Sequence, residues 1–143
     1  MANDISFLRI LIVDDEPAIT RLLTMLLADA DVTQVTVAKS GKEARNFLEF
    51  RRDEIDMVIC DWNMPDLTGF DLLKWIRTQD PKMPFIMVTS RGDLDSVKSA
   101  ARHGVSDYLL KPFKREQLHG KLQQQVKAMA GVGARNKIFV WPT

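Results

Sequence analysis

Hydrophobic residues fall into two patterns along this chain. One is the short, mainly apolar run: Leu8 to Val13, Val35 to Ala38, Met57 to Cys60, Phe85 to Val88 and Tyr108 to Leu110. Met57 to Cys60 has no polar residue, which suits a strand buried on both faces, as in a parallel sheet. The other pattern is a stripe at helical spacing. It recurs as Ile19, Leu22, Leu23 and Leu26, as Ala44, Phe47 and Leu48, and as Leu72, Leu73 and Ile76. It returns as Val97, Ala100 and Ala101, and as Leu118, Leu122, Val126 and Met129.

Local chemistry marks where these elements begin and end. Pro17 suits the first turn of a helix. Ser40-Gly41-Lys42-Glu43 has the spacing of a capping box, and Asp93 is a candidate N-cap. Gly104 suits the position just past a helix end, and the last helix should start near Lys114. Strand and helix alternate five times, which predicts a parallel sheet with helices on both faces. Right-handed crossovers leave only a few doubly wound strand orders. Residues 1–130 read as one domain. Gly131-Val132-Gly133 reads as a flexible break, and residues 131–143, ending in the apolar stretch Lys137 to Thr143, as a tail or linker.

Composition narrows the function. A length of 143 residues suits a single domain. The net charge of +1 provides no broad field for nucleic acid or an anionic membrane. The basic cluster Lys111, Lys114 and Arg115 is too small to argue for DNA. Cys60 is the only cysteine, so no intrachain disulfide forms, and its place in a buried strand makes it a packing residue. The chain shows no signal-peptide pattern and no membrane-length apolar run, so a reducing cytoplasm is the expected compartment.

The polar residues at the strand ends carry the chemistry. Asp14-Asp15-Glu16 follows the first strand, Asp61 the third, Thr89 the fourth and Lys111 the fifth. In open α/β sheets, ligands bind outside the carboxyl ends of the strands. Taken singly, Asp61 could cap a turn and the acidic triplet could match a helix dipole. Together they converge on one crevice if the first and third strands are neighbours. Crowded carboxylates repel by roughly 4 kcal/mol per pair at about 4 Å and an effective dielectric of about 20. A cation is therefore expected. The donors are all hard oxygens, which selects Mg²⁺, Mn²⁺ or Ca²⁺, and a few carboxylates plus water suit Mg²⁺. Lys111 supplies a point charge for an anion and Thr89 a hydroxyl donor. A phosphoryl group moving onto the Asp61 carboxylate fits all of these parts.

The chain resembles a response-regulator receiver domain, in particular the single-domain chemotaxis (CheY-like) type. The residues that carry the likeness are Val13-Asp14-Asp15, Cys60-Asp61-Trp62-Asn63-Met64-Pro65 with Gly69, Met87-Val88-Thr89 and Tyr108-Leu109-Leu110-Lys111-Pro112-Phe113. The likeness runs from about Phe7 to Met129. It implies a flavodoxin-like fold with strand order 2-1-3-4-5 and five helices. It implies Asp61 as phosphoacceptor, with Mg²⁺ held by Asp14, Asp15, Asp61 and the backbone carbonyl of Asn63. Thr89 and Lys111 would contact the phosphoryl group, Tyr108 would be the aromatic switch, and a cis peptide would precede Pro112. The implied partners are a histidine kinase and an output protein bound to the fourth helix, fifth strand and fifth helix. The chain would be a monomer or weak dimer, with no direct nucleic-acid binding and no membrane insertion.

Three positions depart from the family pattern or stand beside the acceptor. Arg91, two after Thr89, replaces the acid of the chemotaxis type and could contact or screen the phosphoryl group. Thr68 stands where an aspartate is common, with no chemical consequence expected. Trp62 could shield the acceptor or report on metal binding. His103 and His119 are expected on exposed helix surface, without partners. A rival reading is an aspartate-nucleophile phosphohydrolase, but the residue two after Asp61 is Asn63, which has no acid to offer. A flavodoxin-like nucleotide binder would want a glycine-rich loop after the first strand, where Asp14-Asp15-Glu16 would repel phosphate.

Overall fold

The computed structural model describes the backbone of residues 4–136 and the side chains of residues 4–129. In chain order the elements are β1 (Arg9–Val13), α1 (Pro17–Ala28), β2 (Gln34–Ala38), α2 (Gly41–Arg51), β3 (Met57–Cys60) and α3 (Gly69–Gln79). There follow β4 (Phe85–Thr89), α4 (Leu94–Arg102), β5 (Asp107–Leu110) and α5 (Arg115–Asn136). A 3₁₀ turn at Arg52–Glu54 links α2 to β3. The strands form one parallel sheet in the order β2-β1-β3-β4-β5. This is the doubly wound α/β architecture that the alternation and the family likeness implied.

The sheet core follows from strand periodicity, since successive side chains point to opposite faces. Leu11, Val13, Val58, Cys60, Phe85 and Met87 pack on one side against α2, α3 and α4, through Ala44, Leu48, Leu72, Leu73, Ile76 and Ala100. Ile10, Ile12, Met57, Ile59, Ile86 and Val88 pack on the other against α1 and α5, through Leu23, Leu27, Leu118 and Leu122. The central strands are therefore apolar throughout, as β3 suggested. At the amino-terminal edge of the sheet, Arg9 grips Asp56 through two parallel N–H···O contacts of 2.9 and 3.0 Å.

Several sequence expectations change in detail. Leu22 does not join the α1 core stripe but is 41% exposed. The buried line of α1 runs through Leu23 and Leu27, and one residue further round the helix is about 100° away. Ala101 likewise faces solvent, while Ala100 is buried. The Ser40 hydroxyl accepts from the Glu43 N–H as expected, but the Glu43 carboxylate accepts from Lys39 rather than from Ser40. The reciprocal capping box stands instead at Thr68 and Asp71, so Thr68 has a structural role in starting α3. Gly131-Val132-Gly133 does not break the chain. α5 continues through it to Asn136, because a helical glycine costs only about 1 kcal/mol relative to alanine. The Lys137–Thr143 tail lies outside the described residues.

Other boundaries are as read. Asp93 caps α4 by accepting from the Ser96 N–H at 3.0 Å. Gly104 follows α4 at φ +87°, with Gly104 N–H bonded to Ala101 and Val105 N–H to Ala100. That is a Schellman ending, and the left-handed backbone explains the glycine. Lys111–Pro112 is cis.

The burial difference between the two leucines yields a direct test. Leu72→Ala, at a fully buried site, should cost about 2–5 kcal/mol. Leu22→Ala should stay within about 0.5 kcal/mol of the parent. Urea unfolding midpoints at unchanged slope will show the contrast.

Candidate functional site

The strand register builds the site. Val13 lies opposite Cys60, so the next residues, Asp14 and Asp61, emerge side by side at the carboxyl edge of β1 and β3. The strand order reverses direction here, since β1 is followed outward by β2 while β3 lies on its other side. A crevice at such a switch point is where this class of sheet takes its ligand. The backbone N–H of Asp61 donates to Val13 at 2.9 Å, and that of Asp14 to Ala38 at 3.2 Å, which fixes both carboxylates on rigid strand ends.

Asp14 and Asp61 are buried while Asp15 is exposed. One carboxylate oxygen from each lies within 4.8 Å of the others. Lys111 reaches in from the end of β5. Its Nζ stands 3.4 Å from Asp14 Oδ2, 3.5 Å from Asp61 Oδ2 and 3.9 Å from Glu16 Oε1. Burial pushes the Asp61 carboxyl above its usual range. Lys111 pulls it back, Asp14 raises it further, and the N–H groups of Asn63 and Trp62 favour the charged form. The Cys60 thiol is driven well up by burial and by Asp61, so it stays a protonated packing group.

Close backbone packing holds the loop after β3. A Cβ on Gly69 would sit 2.0 Å from the Asp61 carbonyl oxygen, and one on Gly41 would sit 2.3 Å from that of Leu67. Only glycine admits these approaches. The Asn63 backbone carbonyl accepts no hydrogen bond among the described residues. Thr89 is fully buried, and its hydroxyl oxygen accepts from the Arg91 N–H at 3.2 Å. Tyr108 is half-buried, and its phenol donates to the Arg91 carbonyl at 2.8 Å. Burial raises the phenol above its usual range.

The sequence residues thus divide clearly. Asp14, Asp15, Asp61 and Lys111 meet in one cluster, while Thr89 and Tyr108 join through the backbone of Arg91. Arg91 is tied to the loop after β3. Its guanidinium donates to Asn63 Oδ1 at 2.9 Å and lies over the Trp62 ring at 5.1 Å. His119 is not a free surface group; it is half-buried and donates to the Leu26 carbonyl at 2.7 Å. His103 is exposed, but its ring meets Phe70 edge-on. Phe70 was missed from sequence because its partner Trp62 lies eight residues away across a loop, outside any helical or strand period.

A five-stranded parallel sheet with carboxylates and a lysine at its switch point defines the receiver class of two-component signalling proteins. The response regulator receiver domain profile matches residues 10–123, and the chain belongs to that family. Within it the chain is similar to a "Chemotaxis protein CheY homolog" of Campylobacter jejuni, 33% identical over 129 residues, covering 89% of this chain and 98% of that relative. It is similar to "Chemotaxis protein CheY" of Pseudomonas aeruginosa, 34% identical over 126 residues, covering 87% of this chain and 100% of that one. Among solved structures, a response regulator receiver domain protein from Clostridium thermocellum superposes with TM-score 0.76. It is 34% identical and covers 82% of this chain and 93% of its own. Such domains are signalling domains rather than enzymes that turn over a substrate. No helix among the described residues is long and apolar enough to cross a membrane.

The raised Asp61 pKa has a signed consequence. Its stabilising contribution is present below the ordinary carboxylate value of 3.8 and is lost as pH rises through the raised folded value. At neutral pH, without a cation, the buried charge is a net cost. Asp61→Asn should therefore melt higher than the parent in chelator at neutral pH. The gap should narrow on acidification, as thermal melts at both conditions will show.

Proposed function

We propose that this protein is a phosphorylation-activated switch of a two-component system, acting in the cytoplasm. A histidine kinase supplies the phosphoryl group, Asp61 accepts it, and the face formed by α4, β5 and α5 changes to control a partner protein. The observation that carries the reading is Lys111 Nζ seated 3.4 and 3.5 Å from two buried carboxylates at the strand edge. That arrangement has no packing advantage, since burying charge costs several kcal/mol per ion. It suits an anion arriving beside a cation.

Each group has a role in this reading. An Asp61 carboxylate oxygen attacks phosphorus, and the donor's bond to phosphorus breaks with its electron pair leaving on the donor. Asp14, Asp15, Asp61 and the Asn63 carbonyl are the groups that would hold Mg²⁺. The donor set fits, being hard oxygens gathered within 4.8 Å with one carbonyl otherwise unbonded. Bound there, Mg²⁺ would neutralise charge as the phosphoryl group arrives. Lys111 neutralises a further phosphoryl oxygen. The Thr89 hydroxyl, now an acceptor from Arg91, has its own proton to donate to the phosphoryl group.

The switch is graded by energy. Moving a population from 1:99 to 99:1 takes about 5.5 kcal/mol. One hydrogen bond to a charged group contributes roughly 1.5–3 kcal/mol, so Thr89 alone falls short. Lys111 and the metal share the work. The Tyr108 ring is already half-buried and bonded to Arg91, which supports a resting protein that samples the docked position. The groove between β5 and α5, lined by Tyr108, Leu110, Pro112, Gly120 and Lys121, supports the output face. Leu110 is 46% exposed there. Residues 1–130 form the receiver unit in this reading, with 131–143 a tail, and the protein is a monomer or weak dimer without direct nucleic-acid contact.

Acetyl phosphate with Mg²⁺ should add one phosphoryl group, and Asp61→Asn should abolish the addition, as intact mass will show. Mg²⁺ at a hundred times its dissociation constant should stabilise the fold by about 2.7 kcal/mol. Labelling mapped to Ser90 or a histidine would reject the assignment.

A further inference from the structure

The residue after Gly69 sits at the centre of a second line of contacts. Gly69 packs on the Asp61 carbonyl and donates its N–H to Trp62 at 2.8 Å, so the start of α3 is locked to the acceptor loop. Phe70 then stacks on Trp62 with centroids 5.0 Å apart and planes at 3°. Its far side meets His103 edge-on at 4.9 Å and 80°. His103 is the C-cap of α4. Arg91 lies over the Trp62 ring at 5.1 Å and stands two residues before Asp93, the N-cap of α4. Both ends of α4 therefore lean on one aromatic pair rooted in the residue after Asp61.

A second contact holds the same end of α4. Arg77, two helical turns after Phe70 on α3, donates to the Gly104 carbonyl at 2.8 Å and to the Asp80 carbonyl at 3.1 Å. The Arg91 end of the line meets Thr89 and Tyr108 through its backbone. Among the described residues, no hydrogen bond joins Phe70 or His103 to Thr89 or Tyr108.

We propose that Phe70 is a positioning residue that carries the state of the acceptor loop to the carboxyl end of α4, along a route separate from Thr89 and Tyr108. The proposal rests on Asp61 being the phosphoacceptor. Parallel stacked rings have a preferred offset, so a displaced Trp62 either takes Phe70 with it or loses the stack. Phe70 is fixed to α3, and α3 holds α4 through His103 and Gly104. Displacement passes through such close-packed contacts rather than being absorbed. A partner gripping the carboxyl end of α4 would thereby sense the acceptor directly.

Beryllofluoride with Mg²⁺, followed by amide and indole resonances of the full chain, tests this. In the parent, shifts should reach Trp62, Tyr108 and Ala100 to Gly104. Phe70→Leu should retain the Tyr108 response and lose most of the response from Ala100 to Gly104, while Phe70→Tyr should restore it. His103→Ala, at an exposed site, should reproduce the loss if the leucine variant fails to fold. Equal α4 responses in the variants and the parent overturn the proposal. Absence of any response in the parent overturns the phosphoacceptor reading and the proposal with it, a result distinct from selective retention.

Discussion

Two buried carboxylates stand side by side at the carboxyl edge of the sheet, and the surrounding structure is arranged around them. Parallel pairing of β1 with β3 leaves Asp14 and Asp61 no way to separate, because register places them one residue beyond a bonded pair. Burial pushes the Asp61 carboxyl above its usual range, Lys111 pulls it back and Asp14 raises it further. The remaining demand for positive charge is what makes the crevice receptive to a cation.

Around this edge, rigidity is unevenly distributed. The loop after Asp61 is clamped by glycine contacts at Gly41 and Gly69 and by the Thr68–Asp71 capping box. α3 buries Leu72, Leu73 and Ile76 behind it. α4 is shorter and buries only Ser96 and Ala100. An element with few buried apolar contacts opens at lower free energy than its neighbours. The contacts that do hold α4 are peripheral: the Arg91 loop, the Phe70–His103 edge contact and the Arg77 bond to Gly104. A stiff loop after β3 and a lightly held α4 thus lie next to one another.

Arg91 ties two loops at this edge together. Its side chain is occupied by Asn63 and Trp62, while its backbone serves Thr89 and Tyr108. The guanidinium is planar and weakly hydrated, so stacking on an indole competes well with a charge contact. The residue joins the loop after β3 to the loop after β4.

What the sequence determined by itself was everything that depends on local period and composition. Unbroken apolar runs made the central strands legible, and Asp93 and Gly104 marked the ends of α4. Polar residues at four strand ends exposed the site, because a parallel sheet brings all those ends to one edge. Helix stripes were legible only to within one residue: Leu22 and Leu23 are indistinguishable by type, and only the packing of α1 on the sheet chose Leu23. Tertiary structure alone decided the rest. His119 against α1, the Arg91 bridge and the Trp62–Phe70–His103 line all join residues across loops or between helices. Such contacts follow no sequence period, since they are set by how separately formed elements meet.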